Sequence, residues 1–319
     1  MAERQGRNSG EAVPAFPVAK LPGGAARNKR IRQVVIPYLF LLPFLVLFVA
    51  FLILPLAYAL GISVFADRLV GGTVFIGAEN YLRAIRDPAF LGGVARMLTF
   101  GAFQIPIMLG LALVLALVLD AGVTWFRTLF RLGFFLPYAV PSVVATLIWG
   151  YLYGQDFGPF AQLADRFGLP APNFLSDSLV LASIANIVTW EFTGYNMIIL
   201  YAALQAVPGE LRDAGAVDGA KGWQVALYIK IPLIFPALLL TAVFSIIGTF
   251  QLFNEPQLMQ PLAPGAIGQA FTPNLYAYSL AFTNQQYEYS AAISFALGAV
   301  VVVCSYVFML LTSRREARG

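Results

Sequence analysis

The sequence predicts an all-α polytopic membrane protein with six transmembrane helices, and three observations carry that prediction. Of its 319 residues, 59 % are hydrophobic and only 11 % charged, and the mean hydropathy of +0.76 is far too apolar for a soluble domain of this length. Six apolar runs, at about 34–56, 98–119, 132–153, 179–204, 233–253 and 291–311, are each long enough to cross a bilayer as a helix rising ~1.5 Å per residue. The basic residues, finally, are shared out unevenly between alternate connections.

In chain order, residues 1–34 are rich in Gly, Pro, Ala and basic side chains (Arg27, Lys29, Arg30, Arg32) with little to bury, which predicts a disordered basic tail ending at the membrane. The run that follows is longer than the hydrophobic core of a signal peptide and has no convincing cleavage site, so it is expected to stay as the first span. Prolines 43, 106, 137 and 141 lie within the apolar runs, so kinked, packed helices are expected rather than straight ones facing lipid all round. The connections at 75–90 and 154–177 mix aromatic and turn residues and predict ordered loops. Residues 313–319 form a short basic C-terminal tail.

An even number of spans puts both termini on one side. The N-terminal tail, the connection with Arg127 and Arg131, the stretch with Arg212, Lys221 and Lys230, and the C-terminus together hold fifteen of the 20 Lys and Arg. The bias of basic residues toward the inner face therefore places both termini and the 207–236 stretch in the cytoplasm. Composition also excludes chemistry. With no histidine there is no His-ligated metal, His-based triad or His proton relay, and the lone Cys304 has no disulfide partner. No catalytic residues, metal ligands or cofactor site are assigned, and the net charge of +4 is a matter of membrane topology rather than of nucleic acid.

Two sets of polar residues stand out. The 207–236 stretch opens with Pro208 and an acidic first turn, breaks at Asp218-Gly219, and runs on to Pro232, which predicts two short hinged helices stopping at that proline. Leu211, Ala214 and Val217 share one side of the first, an apolar knob for a soluble partner, and Trp223 and Tyr228 on the second suit the membrane interface. Within the spans, polar groups are costly and so are candidates for a transport path. Glu191 lies deep in the fourth run, with Tyr195 one turn on and Asn196 beside it; Gln251, Asn254 and Glu255 cluster with Phe250 and Phe253 at the end of the fifth. Aromatic faces with amide and carboxylate acceptors suit a sugar, although Glu191 pairing with a partner subunit is an open alternative. Ser290, Ser294 and Gly298 recur every four residues and predict a close helix contact.

Several motifs together resemble a known family, the inner-membrane permease subunits of binding-protein-dependent ABC importers, in the maltose-type carbohydrate branch. The match to that family's EAA loop runs through Val207-Pro208, Glu210-Leu211, Asp213-Ala214-Gly215, Asp218-Gly219-Ala220, Ile229, Ile231-Pro232 and Pro236. Asp213 stands where the family has Glu, Gly215 where it has a second Ala, and Ala226 where Phe is common. The segment from Phe75 to Phe90, Phe134 to Tyr138 and Ala202 to Pro208 also resemble the family, while Leu262-Ala263-Pro264-Gly265 replaces its usual Gly-Gly-Pro.

The resemblance implies a type I ABC importer permease of the bacterial plasma membrane, which is not itself an enzyme. It implies a second, similar permease, a dimer of ATP-binding subunits, an extracellular solute-binding protein, and a sugar substrate. Glu210, Leu211, Asp213, Ala214, Gly215, Asp218, Gly219 and Ala220 would couple to the ATPase, within a loop at 207–232. The absence of a Gly-x4-Gly-Lys-Ser/Thr run is consistent with ATP being hydrolysed elsewhere. The rivals are an importer of a non-sugar solute such as glycerol phosphate, a proton-coupled carrier titrating at Glu191, and a membrane-embedded enzyme, for which the spans lack paired catalytic groups.

Overall fold

The computed structural model describes residues 23–68, 70–122 and 126–316. It divides into two compact units, 1–58 and 59–319. The first contains helix α1 (Gly23–Phe48), a π-helical turn at Val49–Ile53 and the start of α2 (Leu54–Ile62). The expected irregular tail therefore lies outside the described residues up to 22, and from Gly23 the backbone is already helical. Ala25, Ala26, Arg27, Lys29 and Arg30 are good helix formers, so the span's helix extends past its apolar boundary. No side chain between 36 and 62 is buried, as expected of a helix whose solvent is hydrocarbon.

The second unit opens with an antiparallel hairpin, β1 (Phe65–Arg68) and β2 (Gly72–Phe75), followed by α3 (Glu79–Ala84) and the 34-residue α4 (Pro88–Ala121). Then come α5 (Arg127–Ala139), α6 (Ser142–Leu152), α7 (Pro159–Arg166), the 26-residue α8 (Val180–Gln205), α9 (Gly209–Val217) and α10 (Gly222–Val225). A π turn at Ala226–Lys230 leads into α11 (Ile231–Leu233) and α12 (Phe235–Phe250), and α13 (Asn254–Met259), α14 (Pro273–Tyr278), a third π turn and α15 (Tyr287–Glu316) complete the chain. The core lies where α8 packs on α4 and α5, and where α12 packs on α4 and α15. Its fully buried side chains include Met97, Ile184, Ile187, Met197, Leu200, Phe250 and Ile293.

Among the described residues, four stretches are long and apolar enough to cross a membrane: Ile36–Ile62, Pro88–Ala121, Phe235–Met259 and Tyr287–Thr312. A fifth qualifies if α5 and α6, bent by 92° at Val140-Pro141, count as one span. The expected single helix at 132–153 is thus two helices, because Pro141 cannot continue the hydrogen-bond ladder and holds Val140 in an extended conformation. The fourth expected span, α8, is long enough but carries Asn186, Glu191, Thr193 and Asn196, and it is not among the stretches that qualify on hydropathy.

Two further expectations change. The helical path does not stop at Pro232: the π turn ending at Lys230 immediately precedes Ile231-Pro232, as the one ending at Ile53 precedes Leu54-Pro55. A widened turn removes the carbonyl clash and the lost bond that proline would otherwise impose on an α-helix. Of the Ser290, Ser294, Gly298 stripe, only Ser290 is packed within this chain. Ser290 donates to the Ala277 carbonyl at 2.6 Å, but Ser294 and Gly298 are exposed and nothing approaches the Gly298 position within 4 Å. The packed face of α15 is set by Tyr289, Ile293 and Leu297, one position away, where large apolar side chains reach the core.

Candidate functional site

A cavity of about 440 Å³ lies among α4, α8, the α5–α6 break and the α12–α13 junction. Its position follows from three local features. Gly194 lets α8 press against α5: a Cβ there would sit 1.7 Å from the Phe134 carbonyl oxygen, so no other residue fits. That approach brings Tyr138 onto Tyr195, with ring centroids 4.5 Å apart and planes 21° from parallel. The break at Pro141 then turns α6 away, leaving Ser142 at the cavity wall, where its Oγ accepts a 2.9 Å hydrogen bond from Asn254 Nδ2.

Glu191, Tyr195 and Asn196 of α8 and Gln251, Asn254 and Glu255 at the α12–α13 junction, picked out separately in the sequence, all line this one cavity. Glu191 and Glu255 are 4 % and 6 % exposed, and Glu191 Oε2 has no hydrogen-bond partner among the described residues. A buried acceptor of this kind normally has a partner, and Glu191 brings an unpaired one to the wall of the cavity. Asn196 is less available, since its Nδ2 donates to the Phe192 carbonyl at 3.0 Å. Of the two phenylalanines expected here, Phe253 lines the cavity, whereas Phe250 is buried on the opposite side in the core.

The structure adds Gln104, Met108, Tyr138, Ser142, Ser245 and Thr249 to the lining. Gln104, 3 % exposed, donates to Thr189 Oγ1 at 3.3 Å. As a lone amide in an otherwise apolar run, it carried the same signal as Glu191 and was findable by it. Tyr138 and Ser142 were not, because the close approach of α5 to α8 sets the first against Tyr195 and the 92° bend brings the second to Asn254 of α13.

The 207–236 stretch forms the second region. In α9, Glu210, Leu211, Asp213, Ala214 and Val217 are exposed, Val217 at 88 %. Gly215 faces inward instead: a Cβ there would lie 3.2 Å from Ile229 Cδ1 and 3.4 Å from Val225 Cγ2. A glycine here lets α9 lie close against Val225 and Ile229 of the same loop. At φ +78°, Gly219 takes the left-handed conformation that closes α9, with Ala220 N–H donating to the Gly215 carbonyl at 2.9 Å. Gln224 Oε1 accepts from Lys221 N–H at 2.7 Å and starts α10. The whole is tied to α4 by an ion pair between Lys230 and Asp120, whose Oδ1 also accepts from Gln205 at 2.7 Å.

At the far end of α4, Asp87 caps the helix through Ala89 N–H at 2.9 Å and accepts 2.7 Å hydrogen bonds from Tyr276 and Tyr289. Burial pushes the Asp87 carboxyl up, but the bonds from Tyr289, Tyr276, Ala89 and Phe90 outweigh it and hold the pKa below the ordinary value. Burial, with the hydrogen bond to Asp87, pushes Tyr276 up to about 12. Asn80, also buried, donates to the carbonyls of Ser63 and Phe65 at 2.9 and 2.8 Å. The connection at 75–90 is ordered, as its turn and aromatic residues led one to expect.

Comparison with known proteins places residues 108–318 in the family described as "binding-protein-dependent transport system inner membrane component". The chain is 29 % identical over 288 residues to a lactose transport system permease protein of Rhizobium radiobacter, covering 88 % of this chain and 94 % of that one. It is 28 % identical to an sn-glycerol-3-phosphate transport system permease protein of Brucella abortus, covering 84 % and 91 %. A solved structure of a bacterial ABC transporter involved in import of the acidic polysaccharide alginate shares the fold, with a TM-score of 0.76 at 19 % identity over 91 % of this chain and 99 % of that one.

Proposed function

The chain belongs to the family of binding-protein-dependent transport system inner membrane components, and on that premise we propose that it is one permease subunit of an ATP-driven sugar importer. Its fold is that of a type I ABC importer permease. The observation that carries the sugar assignment is the cavity itself: two separated polar clusters and a stacked tyrosine pair converge on a space of about 440 Å³, which suits a ligand with apolar ring faces and many hydroxyls. Half of the translocation path would come from this chain and half from a second, similar permease.

Coupling runs through α9. Its exposed Leu211, Ala214 and Val217, flanked by Glu210 and Asp213, seat on an ATP-binding subunit, of which the assembled importer holds two. Closure of those subunits on ATP displaces α9, and the Lys230–Asp120 pair passes the displacement to α4, which also lines the cavity through Gln104 and Met108. Six spans, cytoplasmic termini and delivery by an extracellular solute-binding protein complete the arrangement, with the Asp87 end facing outward.

The test is reconstituted uptake with the partner subunits, comparing the native chain with Gly219→Pro and Glu210→Lys. Proline cannot adopt the φ of +78° at Gly219, so α9 is misdirected. ATPase association and ATP-dependent uptake are both expected to fall; survival of both would remove the loop from the coupling path. Glu191→Gln with unchanged rate and substrate preference would remove that residue from the site.

A further inference from the structure

Resting on the sugar-import reading, we infer that the cavity selects by charge: its solute is a sugar without phosphate or carboxylate, held through hydrogens donated to Glu191 and Glu255. The relatives leave this open, since one is named for lactose and another for glycerol 3-phosphate, and the structural neighbour handles an acidic polysaccharide.

The charges that this chain brings to the space point to a neutral solute. Both ionisable acids among the lining residues are glutamates, nine-tenths or more buried, and among the described lining residues there is no lysine or arginine. The remaining polar atoms belong to amides and hydroxyls. In a space shielded from water, a carboxylate repels a phosphate or uronate far more strongly than at a surface, because little solvent screens the pair. An anion would need a fixed cation or a row of free donors. Three of the four lining amides already donate within the chain: Gln104 to Thr189, Asn196 to the Phe192 carbonyl and Asn254 to Ser142. Among the buried polar atoms of the lining, the one left unpaired is an acceptor, Glu191 Oε2. A sugar hydroxyl satisfies it by donating, which a fully ionised anionic group cannot do. The stacked Tyr138 and Tyr195 offer an apolar face to the same ligand.

The experiment uses the complete transporter in proteoliposomes with its own binding protein. The vesicles are offered a mixture of neutral hexose and pentose mono-, di- and trisaccharides, the corresponding uronates and sugar phosphates, and glycerol 3-phosphate. Mass spectrometry of the vesicle contents reads what ATP drives inward. Neutral members are expected to accumulate at least about tenfold faster than their anionic counterparts. In Glu191→Gln/Glu255→Gln, which keeps side-chain volume, that ratio is expected to shrink several-fold; the single Glu191→Gln serves if the double variant does not assemble. Faster accumulation of an anionic member by the native transporter, or an unchanged ratio in the variants, overturns the inference while leaving sugar import standing. ATP-driven accumulation of none of the solutes overturns the sugar reading itself.

Discussion

The two ends of α4, about 50 Å apart at ~1.5 Å per residue, are both anchored by an aspartate, yet they are built for opposite purposes. At the N-terminal end, Asp87 gathers the cap of α4, Tyr276 and Tyr289, with Arg83 stacked 3.8 Å over the Tyr289 ring, so every element nearby is strapped to another element of the same chain. At the C-terminal end, Asp120 holds Lys230 and Gln205, but the helix beyond them leaves Leu211 and Val217 exposed. One end is finished by intramolecular bonds; the other has its base secured and its tip left bare. The proposed docking on an ATP-binding subunit would need that combination, because a rigid base transmits force and an unsatisfied apolar tip binds.

The largest effect is expected from Lys230→Met. It leaves the Asp120 carboxylate, whose side chain is only 6 % exposed, without its cation, at a cost of roughly 3 kcal/mol. Thermal unfolding in detergent measures this, and the exchanged pair Asp120→Lys/Lys230→Asp should recover part of it; a neutral Lys230→Met would show that the loop's base is not secured as described. Asp87→Ala comes next, losing a helix cap and leaving two tyrosine hydroxyls unpaired, for about 2 kcal/mol by the same assay.

Tyr276→Phe should cost about 1 kcal/mol and carries a pH signature. The folded-state pKa of Tyr276 is raised from 10.0 to about 12, so the neutral phenol contributes stability that is full below pH 10 and lost as pH rises through about 12. The native chain should therefore lose stability across that window more steeply than Tyr276→Phe; parallel curves would detach the shift from the Asp87 bond. Smallest of all in stability are Leu211→Ala and Val217→Ala, each within about 0.5 kcal/mol because neither side chain is buried. Their effect should appear instead in co-purification with the ATP-binding subunit. If Leu211→Ala destabilised the chain as much as Asp87→Ala does, the contrast between the two ends would collapse.

Much of the candidate site was legible before folding. Glu191, Tyr195 and Asn196 were conspicuous because a polar group in a span is costly, and the Asp218-Gly219 break announced the turn that φ +78° realises. Other features were legible in kind but not in outcome. Pro141 promised a kink, but nothing local sets its size at 92°. Gly215 stood out as a departure from the family's Ala, but that it faces Val225 and Ile229 could not be read, because helix spacing says which residues share a side and not what that side will meet.

By itself the sequence determined that the chain is helical and membrane-embedded, since its hydropathy leaves no other solvent, and that the helical path turns at Asp218-Gly219 and breaks near Pro141, since prolines and glycines act within a few residues. Only the tertiary structure decided that Glu191 and Glu255, 64 positions apart, face one cavity. That meeting depends on close contacts such as Gly194 against the Phe134 carbonyl, which set how neighbouring helices cross. A crossing is a property of two surfaces at once, and neither strand of sequence carries it alone.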